Sequence, residues 1–140
     1  MSRDWVEDIE KMNEKFSVLE TVRKIDKANL FKLMEFRLSM TEEEMTETMD
    51  AFYLDGIPEE IVDGLIDLMV FNVQTLLMFG VCPNTAWDRV LEKNMQKEPG
   101  VKPERPNCFG FPDLIKPEGW VAPDHSDNVG IIPKVFEEIE

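Results

Sequence analysis

The sequence predicts an all-α fold: a four- to five-helix bundle with a Pro-rich, irregular C-terminal tail packed on it. Three observations predict it. Apolar residues recur at helical spacing from residue 4 to residue 97. Nine Met and nine Phe against one Tyr make an adaptable core that suits packed helices. Seven of the nine prolines (99, 103, 106, 112, 117, 123 and 133) stand in the last 43 residues, where helix hydrogen bonding cannot be sustained. The chain divides accordingly into a helical domain, 1–97, and a Pro-rich extension, 98–140.

The elements follow in order. The first helix covers about 4–18, with Trp5, Ile9, Met12 and Phe16 on one stripe. The second covers about 20–39 and carries Leu30, Leu33, Met34 and Phe36. The third covers about 41–54 and is broken by Gly56 and Pro58. The fourth covers about 59–79, starting after a proline that a first turn tolerates and ending at Gly80. The fifth, about 84–97, stops before Pro99. The tail has apolar anchors at Phe109, Phe111, Leu114, Ile115, Trp120, Val121, Ile131, Ile132, Val135 and Phe136, and a short final helix is expected over 133–139.

Length and charge bound the function. At 140 residues the chain suits one domain with a real core. A net charge of −14 argues against nucleic acid or an anionic membrane as a direct partner. An acidic protein that binds a polyanion needs a cation or a local basic cluster at the contact. Cys82 and Cys108 have no CxxC partner and read as reduced thiols of a cytoplasmic protein (the host's cytoplasm, if a phage encodes it). The opening MSRDWVEDIEKMNEKF has no apolar signal core. The apolar stretch 65–81 is interrupted by Asp67, Asn72 and Gln74, so it reads as a buried helix and not a membrane span.

That fourth helix, EEIVDGLIDLMVFNVQTLLMFG, is the informative one. Glu60, Asp63 and Asp67 fall within about 60° of one another on a helix of 100° per residue. Buried carboxylates require partners or a metal. In the third helix, Glu44 and Glu47 stand at i, i+3. A tight turn between antiparallel helices brings the two sets together, as ExxE, twelve residues, then ExxD. Clustered oxygens suit a hard cation, Mg²⁺ or Mn²⁺. Other readings stay open here. Thr41-x-x-Glu44 matches a capping box. Glu42, Glu43 and Glu59 match first-turn acids, and Asp63 or Asp67 can pair with a Lys or Arg. A di-iron site needs Glu-x-x-His motifs, whereas the single histidine, His125, lies in the tail and reads as a surface or structural residue.

The order ExxE…ExxDxxxD followed by VLEKNMQK resembles the all-α nucleoside triphosphate pyrophosphohydrolases. These comprise MazG-like proteins, dimeric dUTPases and phosphoribosyl-ATP pyrophosphohydrolases. DIEKMNEKF, FRLSMTEEEMTETMDAF and KPEGWVAPDH resemble their small members. The resemblance implies hydrolysis of the α–β phosphoanhydride of a (d)NTP to a nucleoside monophosphate and pyrophosphate. It implies Glu44, Glu47, Glu60 and Asp63 as Mg²⁺ ligands supported by Asp67, Asn94 and Lys97 as phosphate contacts, and a homodimer or homotetramer. Two positions depart from the pattern: Gln96 stands where serine is common, and Gly64 where a larger residue is usual. Chemically, Mg²⁺ neutralises phosphate charge and acidifies bound water. Glu43 or Glu47 is the candidate base, and Lys97 and Arg89 are candidates to stabilise the leaving pyrophosphate. Arg37 reaches the site if its helix is continuous. Each has a bland counterpart: a dipole-favoured terminal lysine for Lys97, a solvated amide for Asn94, packing for Trp87 and Trp120. The rival functions are a phosphoribosyl-ATP pyrophosphohydrolase and a non-enzymatic acidic interaction module.

Overall fold

The structure, a computed structural model, describes residues 3–106 and 108–137. It is mostly helical and forms two compact units, Met1–Pro83 with Val129–Glu140, and Asn84–Asn128. These units are drawn differently from the division by composition: residues 84–97 group with the Pro-rich segment, and residues after 128 return to the helical unit.

In the first unit, α1 spans Trp5–Lys15. It starts where the Asp4 carboxylate accepts the Val6 and Glu7 N–H groups at 3.0 and 3.1 Å, satisfying donors that a helix start leaves open. Its buried face differs from the expected stripe. Ile9 and Asn13 are buried, whereas Trp5 and Phe16 are exposed. A short α2, Val18–Arg23, and a 3₁₀ turn, Lys27–Asn29, lead into α3, Leu30–Asp50.

The helices expected over 20–39 and 41–54 are therefore replaced by a separate α2 and one 21-residue α3. The reason is local. Ser39, Thr41, Thr46 and Thr48 donate their hydroxyls to carbonyls four residues back, at 2.8 to 3.2 Å. Thr41 is thus a mid-helix residue and not a cap. Helix α3 then widens into a π-helical turn, Ala51–Asp55, closed by the Gly56 N–H on the Ala51 carbonyl at 2.9 Å.

Helix α4, Pro58–Met78, runs back antiparallel to α3. Thr48 meets Gly64, Thr41 meets Asn72 at 3.5 Å, and Arg37 meets Thr75 at 3.0 Å. A Cβ at Gly64 would lie 2.0 Å from Thr48 Oγ1. The glycine that looked like a weakness is what lets the helices approach. The expectation that α4 is buried is corrected: Gly64 is its only fully buried residue, and Val62, Leu65 and Ile66 are 61%, 55% and 41% exposed. The exclusion of a span on length and polarity also falls. With 21 residues, and a mean hydropathy of 1.6 over an 18-residue window, α4 is long and apolar enough to cross a membrane by length and composition alone.

The core joins Leu30 of α3, Phe79 after α4 and Val135 of α6 (Ile132–Val135), flanked by Ile25, Leu33, Met34, Met78, Ile131 and Ile132. The returning segment is seated by Ile131 N–H on the Phe79 carbonyl at 2.8 Å. Gly130 beside it has φ +54 and no room for a Cβ, which would stand 1.9 Å from that same oxygen. Of the expected tail anchors, Val135 is buried and Ile131 and Ile132 half-buried, whereas Phe109, Phe111, Val121 and Phe136 are exposed. The final helix is shorter than 133–139, and residues 138 and 139 of that range lie outside the described residues.

The second unit begins at Asn84, within α5, Pro83–Met95. The tail expected to be irregular holds a small antiparallel pair, β1 (Glu98–Gly100) and β2 (Asp113–Ile115), with Pro99 opposite Leu114.

Candidate active site

The hairpin of α3, the π turn and α4 borders an open-sided cavity of about 420 Å³, whose carboxylates are exposed apart from the half-buried Glu44 and not buried as their place in an apolar helix suggested. Glu44, Glu47, Glu60, Asp63 and Asp67 all line it, together with Thr48 and Gly64 at the close helix crossing. Two further carboxylates, Asp50 and Asp55, line it as well. Asp50 was legible, since it stands one helical step (i+3) beyond Glu47. Asp55 was not, because it sits on the π turn, where α-helical spacing no longer predicts direction. Glu43 does not line the cavity and is exposed.

The electrostatics are those of crowded like charge. Burial holds the Glu44 carboxyl above the usual carboxylate range, and Glu47, Asp67 and Glu43 push it further the same way. Among the described residues no Lys or Arg pairs with any of these seven cavity acids. The salt-bridge reading of Asp63 and Asp67 is therefore not what the structure holds. The capping-box reading of Glu44 falls with the continuity of α3. As placed, no three carboxylates among the described residues stand close enough to share one ion. The donor chemistry, all carboxylate oxygen on two facing helices, nonetheless fits a hard divalent cation.

Helix α3 is continuous through Arg37, but this side chain turns away from the cavity-lining acids. Its guanidinium donates to Thr75 Oγ1 (3.0 Å), Gln74 Oε1 (2.9 Å) and the Phe71 carbonyl (3.2 Å), and it lies 4.9 Å over the Phe71 ring. Gln74 in turn donates to Asn13 Oδ1 at 2.9 Å. Burial lowers the Arg37 pKa. This network ties α1, α3 and α4 together behind the cavity, and nothing in the local sequence pattern announced it.

The remaining candidates lie in the second unit. Arg89 forks onto Asp127 at 2.5 and 3.0 Å and also reaches the Asp124 carbonyl at 3.1 Å. That fork holds the Asp127 carboxyl below its usual range, and the Ser126 N–H does the same for Asp124. Asn94 is half-buried. Lys97 Nζ lies 5.0 Å from the centroid of Trp120, whose indole N–H donates to the Lys93 carbonyl at 2.9 Å. Trp87 is exposed. His125 is half-buried, with Nδ1 lacking a hydrogen-bond partner among the described residues.

Among family models, that of phosphoribosyl-ATP pyrophosphohydrolase matches residues 10–94, more than half of the chain. The matched stretch contains all seven cavity acids, Glu43, Arg89 and Asn94, and ends before Lys97. No curated protein and no solved structure matches the chain.

Proposed function

The chain belongs to the phosphoribosyl-ATP pyrophosphohydrolase family, within the all-α nucleoside triphosphate pyrophosphohydrolases, and on that premise we propose that it is a Mg²⁺-dependent nucleoside triphosphate pyrophosphohydrolase. The reaction is attack of water at the α-phosphorus of a (d)NTP, releasing a nucleoside monophosphate and pyrophosphate. One observation carries this reading: seven carboxylates face one cavity without a basic partner among the described residues, inside the family match. Glu44, Glu47, Glu60 and Asp63 would hold the ion, Mg²⁺ or Mn²⁺, with Asp67 supporting them, once their side chains draw together on it. The bound ion supplies charge neutralisation for the phosphates and acidifies water. Glu47 lines the cavity and Glu43 does not, so Glu47 is the better placed of the two to orient and deprotonate the attacking water. Asn94 and Lys97 contact phosphate. Arg89 ranks behind them because Asp127 already engages it. The protein works as a cytoplasmic homodimer or homotetramer, away from membranes and nucleic acid, as its net charge of −14 favours.

A second reading has the family match in its favour: the triphosphate belongs to phosphoribosyl-ATP. Pyrophosphate release from a panel of dNTPs, NTPs and phosphoribosyl-ATP, with Mg²⁺ and with Mn²⁺, separates the two. Glu60→Ala and Asp63→Ala are expected to abolish release while the far-ultraviolet circular dichroism stays helical. Full activity in either variant removes these residues from the site. No release from any substrate, together with no thermal shift in millimolar Mg²⁺, favours an acidic interaction module instead.

A further inference from the structure

In the second unit two ammonium groups converge on one ring. Lys97 Nζ lies 5.0 Å and Lys116 Nζ 5.1 Å from the centroid of Trp120. The two charges therefore stand at most two ring-to-cation distances apart. The ring is fixed, because its N–H is bonded to the carbonyl of Lys93 in the last turn of α5. One lysine over an indole is ordinary. A second is opposed by the first, and among the described residues neither lysine has an ion pair to offset that repulsion. This occurs in a chain with 29 acidic residues and 15 Lys and Arg, where acids to pair with are abundant. Lys116 and Trp120 also lie beyond the family match.

We propose that Lys97 and Lys116, held on Trp120, form a binding site for a polyphosphate anion. A monovalent anion answers one ammonium, and a single exposed ion pair is worth little. A chain of phosphates, with several charges spread along it, answers both. Lysine suits it as a compact point charge with three donors. The site deepens the phosphate contact proposed above for Lys97 by adding Lys116 and Trp120, and it does not depend on the cavity acids being catalytic.

The test uses the full chain with Trp5→Phe and Trp87→Phe, so that Trp120 is the sole indole reporter. Inorganic pyrophosphate is titrated without divalent metal, following Trp120 fluorescence. A saturable change is expected, weakened tenfold or more by Lys116→Ala and by Lys97→Ala, and retained in Lys116→Arg. Lys102→Ala, the control, leaves it unchanged. A parallel titration with a non-hydrolysable nucleoside triphosphate identifies the source. Competition between the two anions means the site takes a nucleotide's phosphate tail, and binding of pyrophosphate alone means it takes the inorganic ion. Calorimetry on the unsubstituted chain and on Lys116→Gln repeats the measurement should the tryptophan variants fail to fold. No saturable binding, or Lys116→Ala and Lys116→Gln binding as tightly as the parent, overturns the proposal. Because no catalysis is read, an inactive enzyme that still binds pyrophosphate through Lys116 leaves this site standing while the hydrolase reading falls.

Discussion

Glu44 is where the electrostatics of the cavity are most visible in a single side chain. Burial and three neighbouring carboxylates raise its pKa in the folded state. The sign of the consequence follows from linkage. Between the ordinary glutamate pKa and the raised one, the folded chain binds more proton than the unfolded chain, so folding stability falls as pH rises through that interval. Ionised Glu44 is thus a destabilising charge at neutral pH in the absence of a cation. Glu44→Gln is expected to raise the metal-free melting temperature at neutral pH and to flatten the decline in stability just above the normal carboxylate range. The same variant should respond less to added Mg²⁺. Thermal melts across mildly acidic to neutral pH, with chelator and then with Mg²⁺, check all three. A variant less stable than its parent at neutral pH without metal would show that Glu44 makes a favourable contact. Arg37 is the contrasting residue, a buried cation held by an amide, a hydroxyl and a carbonyl instead of an acid. Its role was illegible in sequence because its partners lie 34 to 38 positions away.

At the scale of elements, the hairpin of α3 and α4 makes the cavity, and Thr48 against Gly64 sets how closely the two helices lie. A glycine inside a helix ordinarily costs about 1 kcal/mol relative to alanine, which by itself favours Gly64→Ala. The close approach reverses that. The new Cβ would meet Thr48 Oγ1 at 2.0 Å and Thr48 Cβ at 3.0 Å, and overpacking typically costs about 1–3 kcal/mol. Gly64→Ala is expected to destabilise by about that amount and to weaken the Mg²⁺ response by parting Glu44 and Glu47 from Glu60 and Asp63. Adding Thr48→Gly, which removes the obstructing atoms, should restore part of the Mg²⁺ response. Urea denaturation and Mg²⁺ thermal shifts of the single and double variants decide it; a Gly64→Ala chain as stable and as metal-responsive as its parent means the approach does not matter. The acids of α4 were legible from the helical face they share, but the cost of burial that singled them out does not apply, since Glu60, Asp63 and Asp67 are exposed. The continuity of α3 was not, since Thr41-x-x-Glu44 reads the same whether the hydroxyl caps a new helix or bonds back to Arg37 within an old one.

For the whole molecule, composition marked the helical and Pro-rich regions but not how the chain closes on itself. The seat of the returning segment depends on Gly130 against Phe79, a contact between residues far apart in sequence that no local pattern announces. The unexpected exposure of α4 carries the larger consequence. Val62, Leu65 and Ile66 form an apolar stripe centred about 140° around the helix from Glu60, Asp63 and Asp67. Phe52, Tyr53 and Leu54 of the π turn are exposed as well. Two copies each carrying −14 repel one another, so association must come from apolar area on a side away from the acids, and salt that screens the repulsion should strengthen it. The proposed homodimer or homotetramer is therefore expected to gain mass from low to high salt in size-exclusion chromatography with light scattering. Val62→Lys combined with Leu65→Lys should leave a monomer at both, with helicity retained because neither side chain is buried. A parent that is monomeric throughout, or a double variant with the parent's mass, rules out this stripe as the contact between copies.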